Sequence, residues 1–254
     1  MNLLLKLFLT FKVVKNIYII ILYKLKIIRG DIKLKLKNGL QVILRSNDED
    51  FSEIIVVLSG YEYEIKYNFK KNKLTIFDLG ANIGAFTIYT HSKLKNYIKQ
   101  YHIFEPDYKN YLYLKNNILL NKISNVNVIN CAVSDFNGSS YLKTLGKKTD
   151  EYCLSNDKEN GNTKCRVVSL TNYCNKYNIN LIDILKMDIE GSEYNILTNK
   201  QEYNYIKKYV VYFMVEFHKN YRKEKIIKKL SKDFIWIDKK RSTYYFLNKN
   251  YFNE

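Results

Sequence analysis

Residues 76–84 read Ile-Phe-Asp-Leu-Gly-Ala-Asn-Ile-Gly, and Phe104-Glu105-Pro106 follows about twenty residues later. An apolar run enters a glycine turn, and the next apolar run ends in a lone carboxylate. That pairing suits a ligand containing a nucleoside. Gly80 and Gly84 let the backbone turn tightly and approach a ligand that a Cβ would exclude. A helix starting at Ala85 would aim its unpaired N–H groups at the same place. Glu105 can accept hydrogen bonds from both hydroxyls of a ribose, and its spacing from the glycines fits that role.

The loop narrows the ligand. A dinucleotide loop reads G-x-G-x-x-G and brings backbone N–H groups onto a pyrophosphate. Here Asp78 precedes Gly80-Ala81-Asn82-Ile83-Gly84, so the middle glycine is missing and a carboxylate stands where it would repel a phosphate. S-adenosylmethionine carries a sulfonium and an ammonium and no phosphate, which the D-x-G-x-N-x-G spacing favours over a nicotinamide. The expected cofactor residues are Asp78, Gly80, Ala81, Asn82, Gly84 and Glu105, with Ser134 and Asp188 at the ends of later strands.

Positioning these groups requires alternating strands and helices, and the hydrophobic pattern supplies them. Strands are predicted at 74–79, 101–105, 126–131, 166–169, 182–187 and 209–216, with helices at 85–96, 108–121, 171–177, 192–199 and 221–231. Strands near 234–238 and 243–248 close the chain, pairing antiparallel. The apolar strands argue an α/β fold, a mainly parallel sheet covered on both faces. Upstream, alternation over 32–44 around Asn38-Gly39 predicts a hairpin, followed by a helix through Leu58. These residues form a small β-rich cap (31–73) ahead of the main domain (74–254). The polar stretch 142–165 reads as a long loop.

In an open parallel sheet, ligands bind outside the carboxyl ends of the strands. Asp188, Glu190, Glu216 and His218 are expected there and are the candidate catalytic residues. Methyl transfer is an in-line displacement that needs positioning and, for a hydroxyl, a base. His218 could serve near neutrality, as could Glu190 or Glu216 if burial raised its pKa. Alternatively, Asp188, Glu190, Glu216 or His218 could hold Mg²⁺ to polarise the acceptor. The bland readings are helix N-terminal charges for Asp188 and Glu190 and a structural histidine for His218. Methyltransferases acting on base amino groups often carry Asn-Pro-Pro-aromatic. This chain has one proline, Pro106, and an oxygen acceptor fits it better.

The net charge of +17 invites a nucleic-acid reading, but its distribution argues against one. Residues 1–40 carry 9 basic and 1 acidic residue and 200–254 carry 14 and 6, whereas 41–199 carry 19 and 18. Residues 1–30 form an apolar, basic helical segment whose lysines interrupt every long uncharged run. It suits a helix lying on an anionic membrane surface, or one docked on the protein's own core or a second subunit in a homo-oligomer, better than a membrane span. The four cysteines form no CxxC pair; Cys131 and Cys174 are expected as buried thiols in a reducing, cytoplasmic setting, peripheral at the membrane in the surface-helix version.

Together these residues resemble the FkbM family of S-adenosylmethionine-dependent methyltransferases. The likeness runs over about residues 40–220 and is carried by Phe77–Thr87, Phe104–Asp107, Asn117–Asn121, Cys131–Asp135, Ile182–Glu193 and Val215–His218. Its most specific part is the block Lys186, Asp188, Glu190, Gly191, Glu193. The family's Leu-Asp before the preceding helix is Leu170-Thr171 here. The resemblance implies a class I, Rossmann-like methyltransferase fold and O-methylation of a sugar, glycan or secondary metabolite. It would place Asp78, Gly80, Asn82 and Glu105 at the cofactor and Asp188, Glu190 and Glu216 near the transferred methyl. The leading expectation is methylation of a sugar hydroxyl in a glycan or lipid-linked saccharide. An RNA 2′-hydroxyl methyltransferase and a non-catalytic cofactor- or partner-binding module are the alternatives.

Overall fold

The computed structural model describes residues 3–45, 48–70, 73–144, 152–155, 163–218 and 222–252. The chain opens with helices α1 (Leu3–Val13) and α2 (Tyr18–Lys24), strands β1 (Ile32–Lys35) and β2 (Gln41–Leu44), and helix α3 (Asp48–Leu58). Then come β3 (Leu74–Leu79), α4 (Ala85–Leu94), β4 (Ile98–Phe104), α5 (Tyr108–Leu120) and β5 (Val126–Ile129). Strands β6 (Ala132–Ser134), β7 (Gly138–Thr144), β8 (Tyr152–Ser155) and β9 (Thr163–Ser169) precede α6 (Leu170–Lys176) and β10 (Ile182–Met187). The chain continues through α7 (Ser192–Thr198), α8 (Lys200–Tyr209), β11 (Val210–Glu216), α9 (Lys223–Asp233), β12 (Phe234–Lys240) and β13 (Thr243–Asn248). It divides into two compact units.

The first unit comprises Met1–Ile65, Ala81–Asn96 and Lys109–Ser124. Its N-terminal apolar stretch forms two helices rather than one. Between them the chain is extended: Lys15 donates its backbone N–H to the Lys35 carbonyl at 2.8 Å, and Lys37 donates to Val13 at 2.9 Å. The β-branched pair Val13-Val14 favours this conformation. Buried Asn16 fixes it, donating to the Lys33 carbonyl and accepting the Lys35 N–H at 2.7 Å. Strands β1 and β2 form the antiparallel hairpin expected around Asn38-Gly39, with Ile32, Leu34, Val42 and Leu44 buried. The open edge of β2 is closed by side chains. Asn117 accepts the Ile43 N–H and donates to the Ile43 carbonyl, and Asn121 does the same for Gln41. Four residues apart, Asn117 on α5 and Asn121 just past its end lie on the same side and stand in for a missing strand.

The second unit comprises Lys66–Gly80, Tyr97–Tyr108 and Asn125–Glu254. It holds a seven-stranded sheet in the order β12-β13-β11-β10-β3-β4-β5. Strands β11, β10, β3, β4 and β5 run parallel, and β13 and β12 add an antiparallel edge. Strands β10 and β13 are buried throughout, as strands in a covered sheet should be, and their polar residues Asp183, Lys186, Thr243 and Asn248 are buried with them. Helices α6, α8 and α9 contribute Leu170, Cys174, Ile206 and Leu230 to its core. The chain builds outward one way through β3, β4 and β5, then restarts on the other side with β10 and β11. The strand order therefore reverses between β3 and β10, where a crevice at the carboxyl ends is expected.

Three sequence expectations need correction. The stretch 142–165 is not a loop: its described residues belong to β7, β8 and β9, which join β6 in a second sheet of order β6-β9-β7-β8. Its polar residues lie on exposed faces, while Leu142, Cys165 and Val167 form a small core of their own; residues 145–151 and 156–162 lie outside the described residues. Helix α8 occupies a stretch given no element. Asn199 initiates it, accepting the N–H groups of Gln201 and Glu202. The strand expected at 126–131 ends at Ile129 as β5, and a further strand, β6, follows over Ala132–Ser134, where none was expected. All four cysteines are free, and Cys131, Cys165 and Cys174 are buried. Among the described residues no helix is long and apolar enough to cross a membrane.

Candidate active site

The acidic block follows β10 immediately. Glu190 and Gly191 both have positive φ, 51° and 101°, so the chain reverses sharply before α7. That turn lets Glu193, fully buried, fold back and accept the N–H of Ile189 at 2.9 Å and of Gly191 at 2.7 Å. One carboxylate thus satisfies two amides that the turn leaves without ladder partners. Glu193 Oε1 also accepts from Nδ1 of His218 at 3.1 Å. The other ring nitrogen, Nε2, stands 3.0 Å from Glu190 Oε2 and 3.8 Å from Asp188 Oδ1. Tyr194 secures the loop by donating its hydroxyl to the His218 carbonyl.

Burial by itself would lower the His218 pKa. Hydrogen bonds to Glu190 and Glu193 and the charge of Asp188 outweigh it and hold the pKa up at about 12. His218 is therefore an imidazolium at neutral pH. Its folded pKa lies above the unfolded value of about 6.5, so its stabilisation is full below that pH and lost as pH rises towards 12. The stability advantage over a His218→Gln variant should shrink from pH 7 to pH 10, by up to about 1.4 kcal/mol per pH unit. Urea denaturation at several pH values measures it; a constant difference would refute the pairing.

On the neighbouring strand, Asp78 is fully buried and pairs in register with Lys186. The Lys186 ammonium lies 3.4 Å from Asp78 Oδ1 and 3.5 Å from Asp188 Oδ2, and donates to the Gly80 carbonyl at 2.5 Å. It thereby ties the glycine turn to the acidic block. Gly80, at φ 76°, packs so closely that a Cβ would fall 1.8 Å from the Asp188 carbonyl oxygen. Glu105 ends β4 as a buried carboxylate whose Oε1 accepts the Asp107 N–H at 2.9 Å. Asn130 clamps this turn, donating to the carbonyls of Glu105 and Pro106. Ser134 is buried at the end of β6, its hydroxyl 3.3 Å from Asp135 Oδ1. Glu216, at the end of β11, accepts the Ser242 hydroxyl at 2.6 Å.

Of the four candidate catalytic residues, Asp188, Glu190 and His218 each bring one ligand-type atom within 4.8 Å of the others. Glu216 does not join that group. Ala81, Asn82 and Gly84 belong to the first unit, where Gly84 donates its N–H to the Ala81 carbonyl at 2.9 Å and starts α4 in a left-handed conformation. Asn82 is also left-handed, at φ 51°.

The sequence profile of the methyltransferase FkbM domain matches residues 78–234, more than half of the chain. The chain belongs to the FkbM family of S-adenosylmethionine-dependent methyltransferases. The crystal structure of the FkbM methyltransferase from Methylobacillus flagellatus KT shares the fold at a TM-score of 0.53 and 16% identity, over 79% of this chain. The chain spans 55% of that protein's length. A putative RNA methyltransferase from Pyrococcus horikoshii superposes at a TM-score of 0.40, with 13% identity over 78% of this chain and 84% of its own. The structure of TrmK from M. capricolum with S-adenosylhomocysteine gives 0.38, with 15% identity over 78% of this chain and 68% of its own. No curated protein sequence matches the chain. The fold is that of a class I methyltransferase.

For this FkbM domain, sequence reasoning gave no role to Lys186, Glu193 or Asn130. Lys186 and Glu193 stand inside the most specific motif, so the signal was their spacing: β10 places Lys186 beside Asp78, and the turn brings Glu193 back onto its own loop. Removing the ammonium in Lys186→Met should leave the buried Asp78 charge poorly compensated and cost about 3–5 kcal/mol. Asp78→Asn in the same chain should restore part of that loss. An unfolding free energy within about 1 kcal/mol of wild type would refute the assignment.

Proposed function

We propose that this FkbM methyltransferase methylates a hydroxyl, that of a sugar in a glycan or lipid-linked saccharide. The observation that carries the reading is the Asp188–Glu190–His218 group backed by buried Glu193. It is an oxygen-rich cluster able to take a hydrogen bond, and then a proton, from an alcohol. The sugar acceptor rests on the family likeness.

The residues present fit S-adenosylmethionine. Buried Glu105, held by Asn130 and the Asp107 amide, offers carboxylate oxygen to ribose hydroxyls. Asp78 acts through Lys186, which fixes the carbonyls around Gly80. Ala81, Asn82 and Gly84 continue the same loop as cofactor residues, and Ser134 and Asp188 are the further ones. When bound, the cofactor supplies an electrophilic methyl group. His218 donates from both ring nitrogens and has no lone pair to offer while its partners hold it. The acceptor proton therefore goes to Glu190, with His218 keeping it and Asp188 oriented. Glu216, bound to Ser242, orients the β11 end rather than receiving the proton.

A divalent ion at Asp188, Glu190 and His218 is a second reading favoured by their convergence, with Glu193 on the far nitrogen as an outer partner. The imidazolium already occupies that position electrostatically, so transfer is expected to survive chelation. The test is incubation with isotope-labelled S-adenosylmethionine and separate carbohydrate, lipid-linked saccharide and RNA acceptors. O-methyl label in carbohydrate, unaffected by EDTA and lost in Glu190→Gln, supports the proposal. Label in RNA ribose, falling steeply with salt, would overturn the sugar reading, and activity restored only by Mg²⁺ would establish the ion.

A further inference from the structure

We infer that the α1–α2 segment docks this enzyme on an anionic lipid surface, whatever its acceptor. On α1, Leu4, Leu7, Phe8 and Phe11 follow i, i+3, i+4, i+7 spacing and all are exposed, Phe8 at 65% and Phe11 at 56%. The opposite face buries Leu9, Thr10 and Val13. On α2, Tyr18 and Ile21 are exposed and Leu25, just past its end, continues the stripe, while Ile20 is buried. Each helix thus has an apolar face used by the fold and a second one turned to solvent. An amphipathic helix normally gives its outer face to charged residues; a run of aromatic and aliphatic groups there marks an interaction surface.

Charge identifies the occupant. Residues 3–30 contain Lys6, Lys12, Lys15, Lys24, Lys26 and Arg29 and no Asp or Glu. Lys12, Lys15, Lys24, Lys26 and Arg29 are exposed beside the apolar stripes. A second copy docking through the same face would bring like charges together with no carboxylate on either helix to offset them. Anionic headgroups supply the missing charge, and long basic side chains can reach them while the rings enter the acyl boundary. With 11 residues, α1 is about 16 Å long, half of the ~30 Å hydrocarbon layer, so it lies in the interface rather than crossing it.

The test is co-sedimentation of the full chain with vesicles of phosphatidylcholine alone and of phosphatidylcholine with 30 mol% phosphatidylserine. The wild type is expected on the anionic vesicles and to lose most binding at 0.5 M salt. Leu7→Ser/Phe8→Ser/Phe11→Ser should lower partitioning by about tenfold or more. Lys15→Gln/Arg29→Gln should lower it several-fold on anionic vesicles only. Both variants should bind S-adenosylmethionine as wild type does, showing an intact fold. Wild type that ignores anionic vesicles, or partitions equally after the apolar substitutions, would overturn the inference. So would a solution dimer that those substitutions convert to monomer without vesicle binding.

Discussion

Gly80→Ala is expected to abolish S-adenosylmethionine binding and to destabilise the fold by at least about 3 kcal/mol. The added methyl would sit 1.8 Å from the backbone oxygen of Asp188, an atom that no rotamer change can move aside. The residue also adopts φ 76°, which a Cβ disfavours. Relief would require separating the ends of β3 and β10, which would break the Lys186 contacts to Asp78 and the Gly80 carbonyl. Gly191→Ala is the matched control. Its φ is 101°, but nothing lies within 4 Å of its Cβ position, so only backbone strain of about 1 kcal/mol should appear. Thermal unfolding and ligand titration of both variants measure the contrast; equal effects would mean the close approach is not what requires glycine.

Glu193→Ala should be nearly as damaging, through a different cause. Three donors lose their acceptor: the amides of Ile189 and Gly191 and Nδ1 of His218. A fully buried group left unpaired costs ~1–3 kcal/mol, and for these three half-buried donors together a loss of about 3–5 kcal/mol is expected. Methyl transfer should fall by about a hundredfold or more, because the turn presenting Glu190 loses its internal support. Glu193→Gln keeps one acceptor oxygen and should be intermediate in stability. A stable, active Glu193→Ala enzyme would show that the turn is held by other means.

Much of the fold was legible because parallel strands leave a plain signal. The run Val210–Val215 is apolar without alternation, Ile182–Met187 keeps four apolar residues around Asp183 and Lys186, and acidic ends bound both. The β12–β13 pairing was equally readable. What escaped was structure whose cause is tertiary. The 142–165 stretch is polar because its strands are exposed on one side, and the alternation of Ser140 and Leu142 with Tyr141 and Lys143 is too short to outweigh that composition. The break between α1 and α2 depends on Asn16 bonding across to Lys33 and Lys35, which no local window contains.

The candidate site divides the same way. Position at a strand end could be read from Asp78, Glu105, Asp188 and Glu216 alone. Protonation could not: His218 looks like a base until Glu190 and Glu193 are seen on its two nitrogens. Nor could the burial of Asp78 against Lys186.

The account separates cofactor binding at the end of β4 from proton handling after β10. Calorimetric titration with S-adenosylmethionine, run on wild type, Glu105→Ala and Glu190→Gln, tests that separation. Binding should be lost in Glu105→Ala and unchanged in Glu190→Gln, with the latter inactive towards the wild-type acceptor. Undiminished binding by Glu105→Ala, or full activity in Glu190→Gln, would contradict it.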